Sequence, residues 1–189
     1  MKLTKIYSNQ DDIFSPIFFN EGFNVILGEI RLPENKDKDT HNLGKSKLAE
    51  VIDFCFLKER NSAQFLFKHF DIFKKFIFFL EVKLNDGGYL TIKRSVSSNT
   101  KIYIKKHSKK YQDFTGLVDA EWDYEKITFD KAKQLLDALF SLKAISPWSY
   151  RSTINYALRS QGDFKDIFKL SNFVGKHLYW KPYVGKNLG

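Results

Sequence analysis

The sequence predicts an α/β fold in which a strand–loop–helix unit is joined to an antiparallel β meander. Three stretches carry that reading. Phe23-Asn-Val-Ile-Leu-Gly28 is a short apolar, β-branched run ending on glycine, the pattern of a buried strand entering a turn. After His41-Asn-Leu-Gly44-Lys45-Ser46, the apolar residues Leu48, Val51, Ile52, Cys55 and Phe56 recur at intervals of three and four, one face of an α-helix. Phe76–Leu84, Tyr89–Val96 and Thr100–Lys106 then read as three strands. They are separated by Asn85-Asp-Gly-Gly88, a hairpin signal, and by Ser97-Ser-Asn99.

The remaining elements follow in chain order. Residues 2–7 alternate as a first strand, Ser8–Ser15 is a polar turn, and Ile17–Phe19 is a second strand. Glu21-Gly22 turns the chain into a third strand, Asn24–Leu27. Ser62–Lys75 carries Phe65, Phe67, Phe70 and Phe73 and predicts a short helix whose rings serve the core. Thr128 is a suitable N-cap for a helix holding Ala132, Leu135, Leu136 and Leu139. Pro147 punctuates the chain before Trp148. Ser171–Gly189 has no heptads and no clear period.

The order strand, loop, Gly-Lys-Ser, helix is the context of a phosphate-binding loop. Unpaired N–H groups and the positive dipole end of the helix favour a phosphate there. Gly44 permits close backbone approach, Lys45 suits β/γ-phosphates, and the Ser46 hydroxyl suits Mg²⁺. Thr40, His41, Asn42, Leu43 and Lys47 complete the candidate nucleotide-binding loop. The usual G-x-x-x-x-G-K-[ST] spacing is broken, because Asp39 stands where the first glycine belongs. The strand-ending glycine is Gly28, and Glu29–Asp39 is an insertion of mixed charge. Its few apolar residues predict the most mobile part of the site.

Composition bounds the partners. Of 189 residues, 43% are apolar, enough for a real core and against disorder. A net charge of +9 admits nucleic acid or another polyanion. The run Lys105-Lys106-His-Ser-Lys109-Lys110-Tyr111 reads either as a DNA phosphate contact or as a solvated turn guarding a sheet edge. Cys55 is the sole cysteine, so no intramolecular disulfide forms, and its place on the apolar helix face reads as a buried hydrophobe. The longest apolar run, Phe76–Leu80, is far too short for a bilayer, so a soluble, cytoplasmic protein without a membrane partner is expected. His41, His69, His107 and His177 are scattered, without zinc-ligand spacing.

Lys36-Asp-Lys-Asp-Thr-His-Asn-Leu-Gly-Lys-Ser46, with the two strands before it, resembles the start of an SMC/RecN/SbcC-type ABC ATPase head, in a bacterial coiled-coil branch with a lengthened P-loop. The resemblance implies the N-terminal half of a P-loop NTPase head with an antiparallel β subdomain. Residues 1–60 would hold the strands, P-loop and P-loop helix, 76–107 the meander, 145–170 the Q-loop region, and 171–189 the transition towards a coiled coil. Arg159-Ser-Gln161-Gly162-Asp163, by itself only a turn, matches the family's Q-loop pattern, which makes Gln161 a Mg²⁺ ligand beside Ser46. The family's basic contact after the first strand is replaced here by Tyr7-Ser8-Asn9-Gln10. Ser8 and Asn9 thus read equally as nucleotide contacts or as a solvated turn. No Ser-Gly-Gly occurs, and neither Phe79-Leu-Glu81 nor Ile52-Asp53-Phe54 suits a Walker B aspartate. The resemblance therefore implies ATP and Mg²⁺ as ligands and no catalytic residue in this chain. Its partners would be a C-terminal lobe and a second head, with DNA acted on in repair or anti-phage defence. The rival expectation is a non-catalytic basic nucleic-acid-binding domain with a degenerate P-loop. A small P-loop kinase is weakened by the missing Walker B residues and by the meander.

Overall fold

The computed structural model describes residues 1–26, 44–141 and 148–158, with 181, 182 and 185. Six strands form one antiparallel sheet: β1 (Lys2–Ser8), β2 (Ile17–Phe18), β3 (Ile77–Lys83), β4 (Tyr89–Ser95), β5 (Lys101–His107) and β6 (Tyr124–Thr128), in the order β2-β1-β3-β4-β5-β6. Helices α1 (Lys45–Cys55), α2 (Phe65–Lys68), α3 (Phe70–Phe73), α4 (Phe129–Phe140) and α5 (Tyr150–Ala157), with a 3-10 turn at Asp119–Glu121, complete the described elements. The fold is thus α/β with an antiparallel sheet, and the meander is β3-β4-β5.

Alternation along each strand separates two faces. Phe78, Leu80 and Val82 of β3, Leu90 and Ile92 of β4, and Ile102 and Ile104 of β5 enter a buried cluster with Val51, Ile52, Phe54, Cys55 and Phe56 of α1. Leu136 and Phe140 of α4 and Tyr150 and Ile154 of α5 join the same cluster, so the helices share one side of the sheet. On the other side, Tyr7 stacks on Phe79 at 4.8 Å, and Trp122 lies over Phe79. Residues 108–122 cover this smaller aromatic cluster, with Phe114 and Leu117 packed against it.

Three expectations change. Residues 23–26 are not a strand, and Phe23, Val25 and Ile26 are 92%, 63% and 44% exposed. Asn24 instead folds its amide back on Asn20 and Gly22, which curls the chain out of an extended strand path. The helix expected over Ser62–Lys75 is two single-turn helices broken at His69, whose φ of −115° and ψ of 47° lie outside the helical region. The break lets Phe67 meet Phe54 while Phe65 meets Phe73. Thr128 does occupy the N-cap of α4, but its hydroxyl makes no capping bond. Lys105 and Lys106 lie within β5, inside the expected strand Thr100–Lys106, and β5 runs one residue further, through His107.

Candidate nucleotide-binding site

Gly44 is the N-cap of α1, at φ 77° and ψ 6°, with open space where a side chain would project. This left-handed conformation is inexpensive only for glycine. The carbonyl of Gly44 accepts from the N–H groups of Lys47 and Leu48, so the helix starts immediately after it. By helix geometry the amides that open the first turn have no intrahelical acceptor. The first turn holds no acidic residue, so the positive end of the helix dipole is not neutralised by its own sequence.

Around this turn the expected residues have different fates. Ser46 is exposed at the helix start. The Lys47 ammonium turns along the helix to Glu50 at 2.7 Å and lies 5.2 Å from the Phe65 ring. Ser8 is buried, and its hydroxyl accepts the Gln10 N–H. Asn9 has both amide ends engaged: Oδ1 accepts from the Ile77 N–H at 2.7 Å, and Nδ2 donates to the Lys75 carbonyl. These two residues close the end of β1 against β3. Thr40, His41, Asn42, Leu43, the Lys45 side chain, the Glu29–Asp39 insertion and Gln161 lie outside the described residues.

The far end of α1 is held by three side chains from elsewhere. Arg94 of β4 is 1% exposed and donates to the carbonyls of Phe54, Lys58 and Asn99. Its guanidinium lies 4.1 Å from the centre of the Phe54 ring. Burial pushes its pKa down to about 10, so the group stays charged at neutral pH. From α5, Arg151 donates to the Phe56 carbonyl at 2.9 Å and to Asp53 Oδ1 at 2.8 Å, and the Tyr150 hydroxyl donates to the same Phe56 carbonyl. Asp53 is also paired with Lys58. Sequence reasoning did not single out Arg94, and it read α5 only as the approach to Gln161. Tyr150, Ile154 and Leu158 behind Ser149 were nevertheless a legible helix pattern.

Of the acids beside apolar runs, Glu81 is fully buried and accepts from Thr4 Oγ1 and from the N–H groups of Tyr111 and Gln112. It anchors the 108–113 segment. Within the basic run, Lys105 is paired with Asp123 at 2.8 Å and donates to the Glu121 carbonyl, Lys106 is exposed, and Lys109 and Lys110 form an exposed turn. Among the described residues no group of three or more His, Cys, Asp or Glu is placed to hold a metal ion, and no helix is long and apolar enough to cross a membrane. No protein-family model, curated protein or solved structure matches this chain.

Proposed function

We propose that this chain is the ATP–Mg²⁺-binding N-terminal half of an SMC-like ATPase head that acts on DNA. The observation that carries the proposal is the start of α1: a left-handed, unobstructed Gly44 followed at once by Lys45 and Ser46 at an uncompensated helix N-terminus. Residues of that chemistry fit a triphosphate. The first-turn amides would hold phosphate oxygens, Lys45 would meet the β/γ charge, and Ser46 with Gln161 would hold the metal. Bound Mg²⁺ would neutralise charge on the β- and γ-phosphate oxygens.

The exposed apolar run Phe23–Ile26, unpaired among the described residues, leaves room for a packing partner such as a C-terminal lobe. On this reading hydrolysis would need a C-terminal lobe and a second head, since the resemblance assigns no catalytic acid to this chain. Titration calorimetry with ATP–Mg²⁺ tests the reading. Micromolar-range binding that is lost in Lys45→Ala is the expected result, and equal heats from both proteins would overturn it.

A further inference from the structure

One end of the sheet carries a row of side chains that the site above does not use. In β1, β3, β4 and β5, Lys2 pairs with Lys83, Lys83 with Tyr89, and Tyr89 with His107. Directly opposed residues of antiparallel strands project to the same face. Lys83 lies two residues beyond Glu81, so this is the face opposite the helices. Strand spacing makes the row about 14 Å long, the width over which a four-stranded sheet elsewhere stacks two or three bases.

The aromatic members are rigidly supported. The Tyr89 ring stacks on His107 at 5.8 Å with planes 18° apart, and Phe114 meets the imidazole edge-on at 5.1 Å. The imidazole is fixed in turn, with Nδ1 donating to the Lys109 carbonyl and Nε2 accepting from Thr91 Oγ1. Beside it, Tyr111 is held at φ 65° by Glu81, which accepts its N–H, and by its own hydroxyl, which donates to the Phe19 carbonyl. The Lys110 ammonium lies 4.3 Å from the centre of the Tyr111 ring.

Charge accumulates at the same end. Farther along this face the lysines are neutralised, Lys93 and Lys126 by Asp119 and Lys105 by Asp123. Here, among the described residues, the one acid bonded by Lys2, Lys83, Lys109 or Lys110 is Glu21, whose carboxylate pairs with Lys83 and whose backbone carbonyl accepts from Lys2. Asp86, at the hairpin tip, accepts the Gly88 N–H.

We infer that this row is a binding surface for single-stranded nucleic acid, with Tyr89 as a base-stacking plane and Lys2, Lys109 and Lys110 meeting the phosphates. A pre-set ring flanked by cations is the combination that holds unpaired bases and their backbone together. Duplex recognition would call for an element that enters a groove, and this surface is a flat sheet end. The inference rests on the proposed function only in taking a polynucleotide as partner, and it requires nothing at Gly44–Ser46.

The test is fluorescence anisotropy of labelled oligo-dT with the whole chain, without ATP, across a salt series. Tyr89→Ala should weaken binding by about 5- to 150-fold, while Tyr89→Phe binds as wild type. The Lys109→Ala/Lys110→Ala double variant should flatten the logarithmic salt slope by about 1.4, and Lys105→Ala should leave it unchanged. Absence of wild-type binding, an unaltered affinity in folded Tyr89→Ala, tighter binding of duplex of the same length, or equal competition by phosphatidylserine vesicles would each overturn the inference. Should Tyr89→Ala fail to fold, an unchanged salt slope in the double variant would overturn it instead. Oligonucleotide binding with no ATP binding would refute the nucleotide reading alone, and the converse result would refute this inference alone.

Discussion

Replacing Arg94 should loosen the C-terminal end of α1 from the sheet. The side chain is 1% exposed, and α1 has no basic residue in its own last turn, so Arg94 supplies the charge that the helix end lacks. Arg94→Ala leaves the Asn99 and Lys58 carbonyls without this donor, whereas the Phe54 carbonyl keeps its bond from the Leu57 N–H. Two lost bonds to a charged donor are worth about 3–6 kcal/mol gross. The cavity adds to that, and the relieved desolvation of a buried cation subtracts. The net expectation is about 4 kcal/mol, a large part of the 5–15 kcal/mol typical of a domain. Arg94→Met, which refills the stem but bonds nothing, should cost about 2 kcal/mol for the two unsatisfied carbonyls. In urea unfolding with a slope of about 2 kcal/mol per M, the midpoints should fall by about 2 M and 1 M at unchanged slope. If Arg94→Met proves as stable as wild type, the carbonyl bonds contribute nothing net and the argument from helix polarity fails.

Other outcomes follow from the same structure. Lys45→Ala should abolish ATP–Mg²⁺ binding by calorimetry while the thermal melt stays in place. The purified chain should turn over ATP far below the ~1 s⁻¹ of competent phosphoryl-transfer enzymes, and a phosphate-release assay reaching that rate would point first to Gln161. Burial pushes the Cys55 thiol up to about 12, so it should resist alkylation in the folded protein at pH 8 and react only in urea. The unfolded chain loses that proton near pH 9 while the folded state keeps it, so Cys55 lowers stability as pH rises from about 9 towards 12, and Cys55→Ala should flatten that part of the curve. Arg151→Met should detach α5 from α1 at a cost of roughly 1–3 kcal/mol, read as earlier hydrogen exchange at Tyr150–Ala157.

Much of the fold was legible because its signals are local. The meander announced itself through alternation and Asn85-Asp-Gly-Gly88, where Gly87 takes a φ of 90°. The face of α1 that carries Val51, Ile52 and Cys55 is the face it buries. β6 was missed because Tyr124-Glu-Lys-Ile-Thr128 has only two apolar residues and pairs through an irregular register. Asn24–Ile26 misled for the opposite reason: the run is β-prone, but the Asn24 side chain bonds Asn20 and Gly22 and no strand of the sheet pairs with it. The candidate site was readable as a tripeptide before a helix. Its support was not, since Arg94 lies far from α1 in sequence and looks like any strand arginine until the sheet sets it under the helix end. Ser8 and Asn9 were ambiguous because a polar turn gives no sign of whether its side chains bond outward or to their own backbone.

The two ends of α1 are treated differently, and that difference carries the functional argument further than the tripeptide alone. A helix of this length has a positive N-terminus and a negative C-terminus. Here the sequence compensates neither within the helix, with no acid in the first turn and no base in the last. The fold then brings Arg94 and Arg151 to the carbonyl end from two different elements, and Tyr150 adds a third donor. Nothing equivalent reaches the amide end among the described residues: Glu50 is drawn to Lys47, Asp53 faces Arg151, and Gly44 stands clear. With its negative pole neutralised and no acid at its positive pole among the described residues, the helix presents a net positive end at Gly44–Ser46. The proposed phosphate would complete such a helix, since its several oxygens can match several amides at once. Had the purpose of Gly44 been only to end a loop, an acidic first turn would have stabilised the same helix at no structural cost.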